Sequence, residues 1–246
     1  MMKLASLVGV GLLTLGAAGA SATQAPAARG RATERFEVSS LKAVRPTLVN
    51  TVAALKKGDA AGAKAAFEAY DSGWNGVEVY INTRSKDLYN ELERNYQSRI
   101  TTGLNSPKPD TAALLSDAQA MLAKYDEAIS MVEKAAPLNP RYDDVARLRI
   151  VRANLREVNP AVKAGNIAKA RKSYTAFSDK WDSIEDLIRE RSQEAYDAIE
   201  NGMINIERAL MADKPAADQV TTLVSGVMDK YNAVLAEIAK DAQGGS

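Results

Sequence analysis

The chain has 246 residues, 46% of them hydrophobic, with 32 basic against 31 acidic side chains and neither cysteine nor histidine. A chain of this length can bury a sizeable core, and its balanced charge offers no field to draw in nucleic acid. The missing residue types exclude disulfides, zinc and iron–sulfur sites of the usual ligand types, thiol nucleophiles and any base built on imidazole, leaving carboxylates, amines, hydroxyls and guanidinium groups.

Residues 1–22 read as a signal peptide: a positive start at Met1-Met2-Lys3, an uncharged run from Leu4 to Ala20, and small residues at Ala20-Ser21-Ala22 for cleavage. The run is short for a membrane span and no charged stop follows it. The expected mature protein is periplasmic or secreted and not membrane-spanning after cleavage. Residues 23–32, rich in Ala, Pro, Gly and Arg, read as a flexible leader.

Helical periodicity begins near Thr33 and is clear at Leu41, Val44, Leu48, Val52 and Leu55, with Pro46 expected to kink this helix or mark its true start. Lys56-Lys57-Gly58-Asp59 supplies a basic last turn, a terminating glycine and a cap for the next helix. The second helix carries Phe67, Tyr70, Trp74, Val77 and Ile81 on one face. A break follows at Arg84-Ser85-Lys86-Asp87, where Ser85 can cap a third helix bearing Leu88, Leu92, Tyr96 and Ile100. After a loop from Gly103 to Pro109, a fourth helix carries Leu115, Met121, Leu122, Tyr125, Ile129 and Val132.

The sequence then starts again. An offset of 107 residues lays Leu148-Arg149-Ile150-Val151-Arg152 on Leu41-Lys42-Ala43-Val44-Arg45, and the match continues ungapped through Gly165/Gly58, Trp181/Trp74, Glu185/Glu78, Ser192/Ser85, Tyr196/Tyr89 and Glu200/Glu93. One residue is lost in the next loop, after which Lys230-Tyr231 aligns with Lys124-Tyr125. The expected architecture is all-α: a tandem duplication forming two up-down four-helix bundles, repeat 1 at 33–134, a linker at 135–141, repeat 2 at 142–241 and a flexible tail at 242–246. One continuous helical array with the copies side by side is the alternative.

A phrase of aromatic, two spacers, aliphatic and glutamate recurs in this framework, ending at Glu78, Glu93, Glu185 and Glu200. These positions share one helical face, so each carboxylate stands at the edge of a core stripe, roughly 60° from its mean direction for Glu78. Glu78 and Glu93 lie about two turns on either side of the break at Ser85, as do Glu185 and Glu200 about Ser192. A chain that folds back there sets each pair level on facing helices; a straight helix would hold Glu78 and Glu93 roughly 22 Å apart.

Facing carboxylates near a core must be neutralised. A hard, oxygen-ligated divalent or trivalent cation such as iron is one solution. A protein partner is the other: Arg45 and Arg152, at the matching edge of the first helix of each copy, are candidates for an Arg–Glu network that fixes helix register. Catalytic residues are not expected, because no second catalytic group accompanies the pairs.

The segment Tyr70-Asp71-Ser72-Gly73-Trp74-Asn75-Gly76-Val77-Glu78, followed by a basic turn and Tyr89-x-x-Leu92-Glu93, resembles the extracytoplasmic helical segment found with bacterial high-affinity iron permeases. There an aromatic-x-x-Val-Glu is followed by a break and a helix with Ile/Leu-Glu. The resemblance implies a periplasmic protein serving iron uptake, with Glu78, Glu93, Glu185 and Glu200 as metal contacts and an iron permease or other envelope protein as partner. The permease's Arg-Glu-x-x-Glu motif is missing: Arg156-Glu157 and Arg189-Glu190 lack the second glutamate. A chain without histidine also cannot carry the His-x-x-Glu pair of imelysin-like iron proteins. The expectation is therefore a non-enzymatic accessory that binds metal through paired glutamates. Its rival is a metal-free scaffold or protein-interaction module with Glu–Arg networks.

Overall fold

A computed structural model describes residues 34–244; the expected signal peptide, the flexible leader and the last two residues of the tail lie outside them. Every regular element among the described residues is helical. Helix α1 (Phe36–Lys56) runs through Pro46 without a break, so the proline is neither a start nor a stop. A left-handed turn at Gly58, φ 70°, follows it, a conformation that glycine adopts without a Cβ penalty. Asp59 then caps α2 (Ala60–Asn82), its side chain accepting from the Gly62 amide.

The expected break falls at Ser85, whose hydroxyl accepts from the Leu88 amide at the start of α3 (Lys86–Asn90). The helix continues through a π-helical stretch, Glu91–Gln97, into α4 (Ser98–Leu104). Asp110 caps α5 (Thr111–Lys134) with bonds from the amides of Ala112 and Ala113.

The second half follows the same punctuation. Helix α6 (Arg141–Arg156) is followed by the short α7 (Val158–Lys163). Pro160 has no N–H to give to the Arg156 carbonyl, so the ladder is interrupted between the two. Gly165 repeats the left-handed turn at φ 70°, and Asn166 caps α8 (Ile167–Trp181). A turn at 182–184 separates α8 from α9 (Glu185–Arg189), Ser192 caps α10 (Gln193–Leu210), and α11 spans Ala217–Gly244. The expected flexible tail begins too early. Ala242 is buried and still helical, because α11 must reach the start of α6, where it packs.

In the first half α1 packs on α2 and α5, and α5 also contacts the π-helical stretch and α4. In the second, α6 and α7 pack on α8 and α11, with α10 against α11. The halves join chiefly where α6 lies along α2, and the chain from Glu34 onward is one compact unit. The junction is close because residue 76 is glycine: a Cβ there would come within 2.4 Å of Ile150. Among the described residues no helix is long and apolar enough to cross a membrane.

Candidate functional site

Each half builds its aromatic-glutamate phrase into a hairpin. Trp74 on α2 stacks on Tyr70 and Tyr89, with ring centroids 5.9 and 6.0 Å away. Its indole N–H donates to Glu93, nineteen positions along the chain. A straight helix would separate those residues by about 28 Å, so the chain does fold back at Ser85. The second half repeats the contact: Trp181 stacks on Tyr196 at 6.3 Å and donates to Glu200. In both hairpins the tryptophan is core and holds the second glutamate of the pair.

The first glutamates differ. Glu78 is half-buried and pairs with Arg149 of α6, 3.1 Å away across the junction. Burial raises the Glu78 carboxyl above its ordinary value; Arg149 opposes this, Glu93 adds to it, and the more remote charges of Arg152 and Arg156 oppose it again. Among the described residues Glu185 pairs with no arginine. Its carboxylate accepts a long bond, 3.4 Å, from the Tyr196 hydroxyl. With Asp182, Glu200 and Glu207 it lines an open cavity of about 270 Å³. Among the described residues, no three acidic side chains are close enough together to hold a metal ion between them.

The arginines expected to meet these glutamates have other partners. Arg45 pairs with Asp126 of α5, 2.6 Å away on the outer surface. Arg152 donates to Asn232 of α11 at 2.7 Å, and burial beside Arg149 and Arg156 lowers its pKa. The residue that reaches Glu78 is one turn earlier on α6 than Arg152. One turn later, Arg156 donates to Asn75 at 2.9 Å and pairs with Asp71 at 3.3 Å. Asp71, Asn75 and Glu78 form one stripe on α2 facing Arg149 and Arg156 on α6, with the Tyr80 hydroxyl donating to Asp143 at 2.7 Å on the same seam. The signal was present as two helical stripes of opposite charge, spaced by three and four residues. Periodicity places residues on a face but does not say which face meets which.

A buried network also escaped the sequence reading. Glu37, 3% exposed, pairs with Arg84 at 2.6 Å, and Arg35 approaches its other oxygen to 2.7 Å out of hydrogen-bond alignment. Arg35 and Arg84 also donate to the Ala135 and Ala136 carbonyls, each at 2.9 Å, fastening the end of α5 to the start of α1. This locks the entry to the linker at 135–141.

Comparison with models of known protein families, with curated proteins and with solved structures gives no match for this chain.

Proposed function

We propose that this chain is a non-enzymatic, extracytoplasmic helical scaffold built as a tandem duplication of two four-helix bundles, with the glutamates of its first bundle serving as structural clasps. The observation that carries this is the Glu78–Arg149 pair across the α2–α6 junction. The carboxylate that a cation would need is already neutralised by a guanidinium from the other half, and Glu93 is held by Trp74. The duplication is supported by equivalent caps at Asp59 and Asn166 and at Ser85 and Ser192, and by the paired left-handed glycines Gly58 and Gly165, all at the offset read in the sequence.

A second reading, favoured by the arginine-free cavity around Glu185 and Glu200, assigns the second bundle a hard cation such as iron, with water completing the shell. This keeps the role in iron uptake, beside a permease or other envelope protein, that the iron-permease resemblance implies.

Calorimetric titration with Mn²⁺, Ca²⁺ and chelated Fe³⁺ decides between them. The scaffold reading expects no binding heat above that of a salt control. The cation reading expects saturable binding that is abolished in Glu185→Gln/Glu200→Gln and kept in Glu78→Gln. Saturable binding lost in Glu78→Gln would overturn the clasp.

A further inference from the structure

Ile150 of α6 fills the space that Gly76 leaves on α2. At the 107-residue offset read in the sequence, the counterparts of Ile150 and Gly76 are Ala43 and Ser183. Both line a single cavity of about 450 Å³ between α1, α2, α6 and the turn after α8. A methyl and a hydroxymethyl group are too small to close what an isoleucine closes at Gly76, so the matching place stays open. Its walls are apolar: Phe36 and Ile150 stand with the buried side chains of Val44, Val151 and Ile184. Gly73 adds no side chain to this wall, and a Cβ there would come within 2.8 Å of Val44.

The charge on the lining is of one sign. Arg147 and Lys180, both exposed at the rim, line the cavity, and no carboxylate does. Elsewhere on α6 the cations are answered by acids, Arg149 by Glu78 and Arg156 by Asp71. Among the described residues Arg147 and Lys180 have no such partner; the Arg147 guanidinium lies over the Phe36 ring, 4.6 Å from its centroid. Asp144, three residues earlier on α6, feels the Arg147 charge but lies outside the cavity. The two hydroxyls on the lining are committed to backbone: Ser40 donates to the Phe36 carbonyl and Ser183 to the Lys180 carbonyl, each at 2.6 Å. Arg147 and Lys180 are left as the side-chain donors.

We propose that this cavity binds an amphipathic carboxylate, a fatty-acid-like anion whose apolar chain lies against α1 and α6 and whose headgroup is met by Arg147 and Lys180. A guanidinium fork matches a carboxylate with two parallel bonds, and a lysine adds a point charge. Stacked on Phe36, the guanidinium keeps its N–H edge available. Both parts of the ligand are needed. A bare anion at an exposed rim gains little from two cations in water, whereas burying an apolar chain supplies affinity that the charges alone do not. A neutral chain leaves the cations unanswered. No residue lines both this cavity and the one around Glu185 and Glu200, so the site stands whichever reading of the glutamates holds.

The test is calorimetric titration of the full chain, stripped of bound lipid on a hydrophobic resin, with decanoate below its micellar concentration. Decanol and acetate serve as comparators. Decanoate is expected to bind saturably, and both comparators at least about tenfold more weakly. Arg147→Gln/Lys180→Gln should weaken decanoate at least about tenfold and bring it level with decanol. Ala43→Trp, which fills the cavity from its exposed rim, should abolish binding. Ser183→Trp fills it from the α8 side and takes the place of Ala43→Trp should urea unfolding show that variant to be unfolded. Absence of saturable binding, decanol as tight as decanoate, or decanoate affinity unchanged in the double variant or in a folded cavity-filling variant overturns the proposal. Retention on anionic phospholipid vesicles without decanoate binding, or self-association that Ala43→Trp removes, assigns the cavity to a membrane surface or to a second copy and overturns it as well.

Discussion

Helix α2 and its counterpart, α8 with α9, carry the same phrase in two environments. In the first half the helix is unbroken from Ala60 to Asn82 and lies under α6, with Gly76 buried and Glu78 paired to Arg149. In the second it is interrupted at 182–184, Ser183 is exposed and, among the described residues, Glu185 has no basic partner. Intrinsic propensity argues the other way, since glycine is the poorer helix former of the Gly76/Ser183 pair. The contrast teaches that the continuity of α2 comes from the helix packed on it, and that the fate of the glutamate follows the same neighbour.

The following helix repeats the lesson in reverse. Glu91–Gln97 is π-helical in the first half, where Gln97 is buried and donates to Asp71 at 2.7 Å. The matching stretch of α10 is regular α-helix and leaves Ile204 52% exposed. A widened turn changes which side chains face inward.

The largest effect is expected at the close approach. Gly76→Leu forces a side chain into Ile150 and should cost about 2–3 kcal/mol in urea unfolding. Ser183→Leu, in the open counterpart, should stay within about 0.5 kcal/mol. Equal losses in the two variants would remove the contrast between the halves.

Next comes the clasp. Arg149→Met strands the half-buried Glu78 and should cost about 1–2 kcal/mol, much of it recovered in Arg149→Met/Glu78→Gln. Lys42→Met, at the matching position and bonded only at the surface to Glu34 and Glu133, should cost less than about 0.5 kcal/mol. If the single and double variants melt together, the clasp does not hold the halves.

A control on the shared feature should give a smaller and equal response. Trp74→Phe and Trp181→Phe each remove the indole N–H that serves the second glutamate and should each cost about 1 kcal/mol. A marked difference in their thermal midpoints would mean that the hairpins are not equivalent.

The smallest effect is in pH dependence. The folded state holds the Glu78 proton more tightly than the unfolded chain, whose value is near 4.5. Between the two values folding takes up a proton, so this group's contribution to stability is present in acid and declines as pH rises through that window. Glu78→Gln should remove that part of the slope in a pH series of urea midpoints, while Glu185→Gln should leave it in place.

Much of this fold is legible without the structure, for a local reason. A helix start needs one capping side chain, as at Ser85 and Ser192; a left-handed turn needs one glycine, as at Gly58 and Gly165. A core stripe needs only its own period, as from Phe67 to Ile81. All of these are decided within a few residues of chain, and so is the break at Ser85, across which Trp74 meets Glu93. The partners of the charges were not legible in this way. Arg45, Arg149 and Arg152 stand on similar helical faces, and each could be written opposite a glutamate. Only the docking of α6 along α2, allowed by the missing side chain at Gly76, gave Glu78 to Arg149 and left Glu185 facing open space. The sequence by itself determined the helical stripes, most of their caps and the aromatic-glutamate phrase on each side of the break. The tertiary structure decided which glutamate is neutralised, because α6 lies close along α2 and brings Arg149 to Glu78.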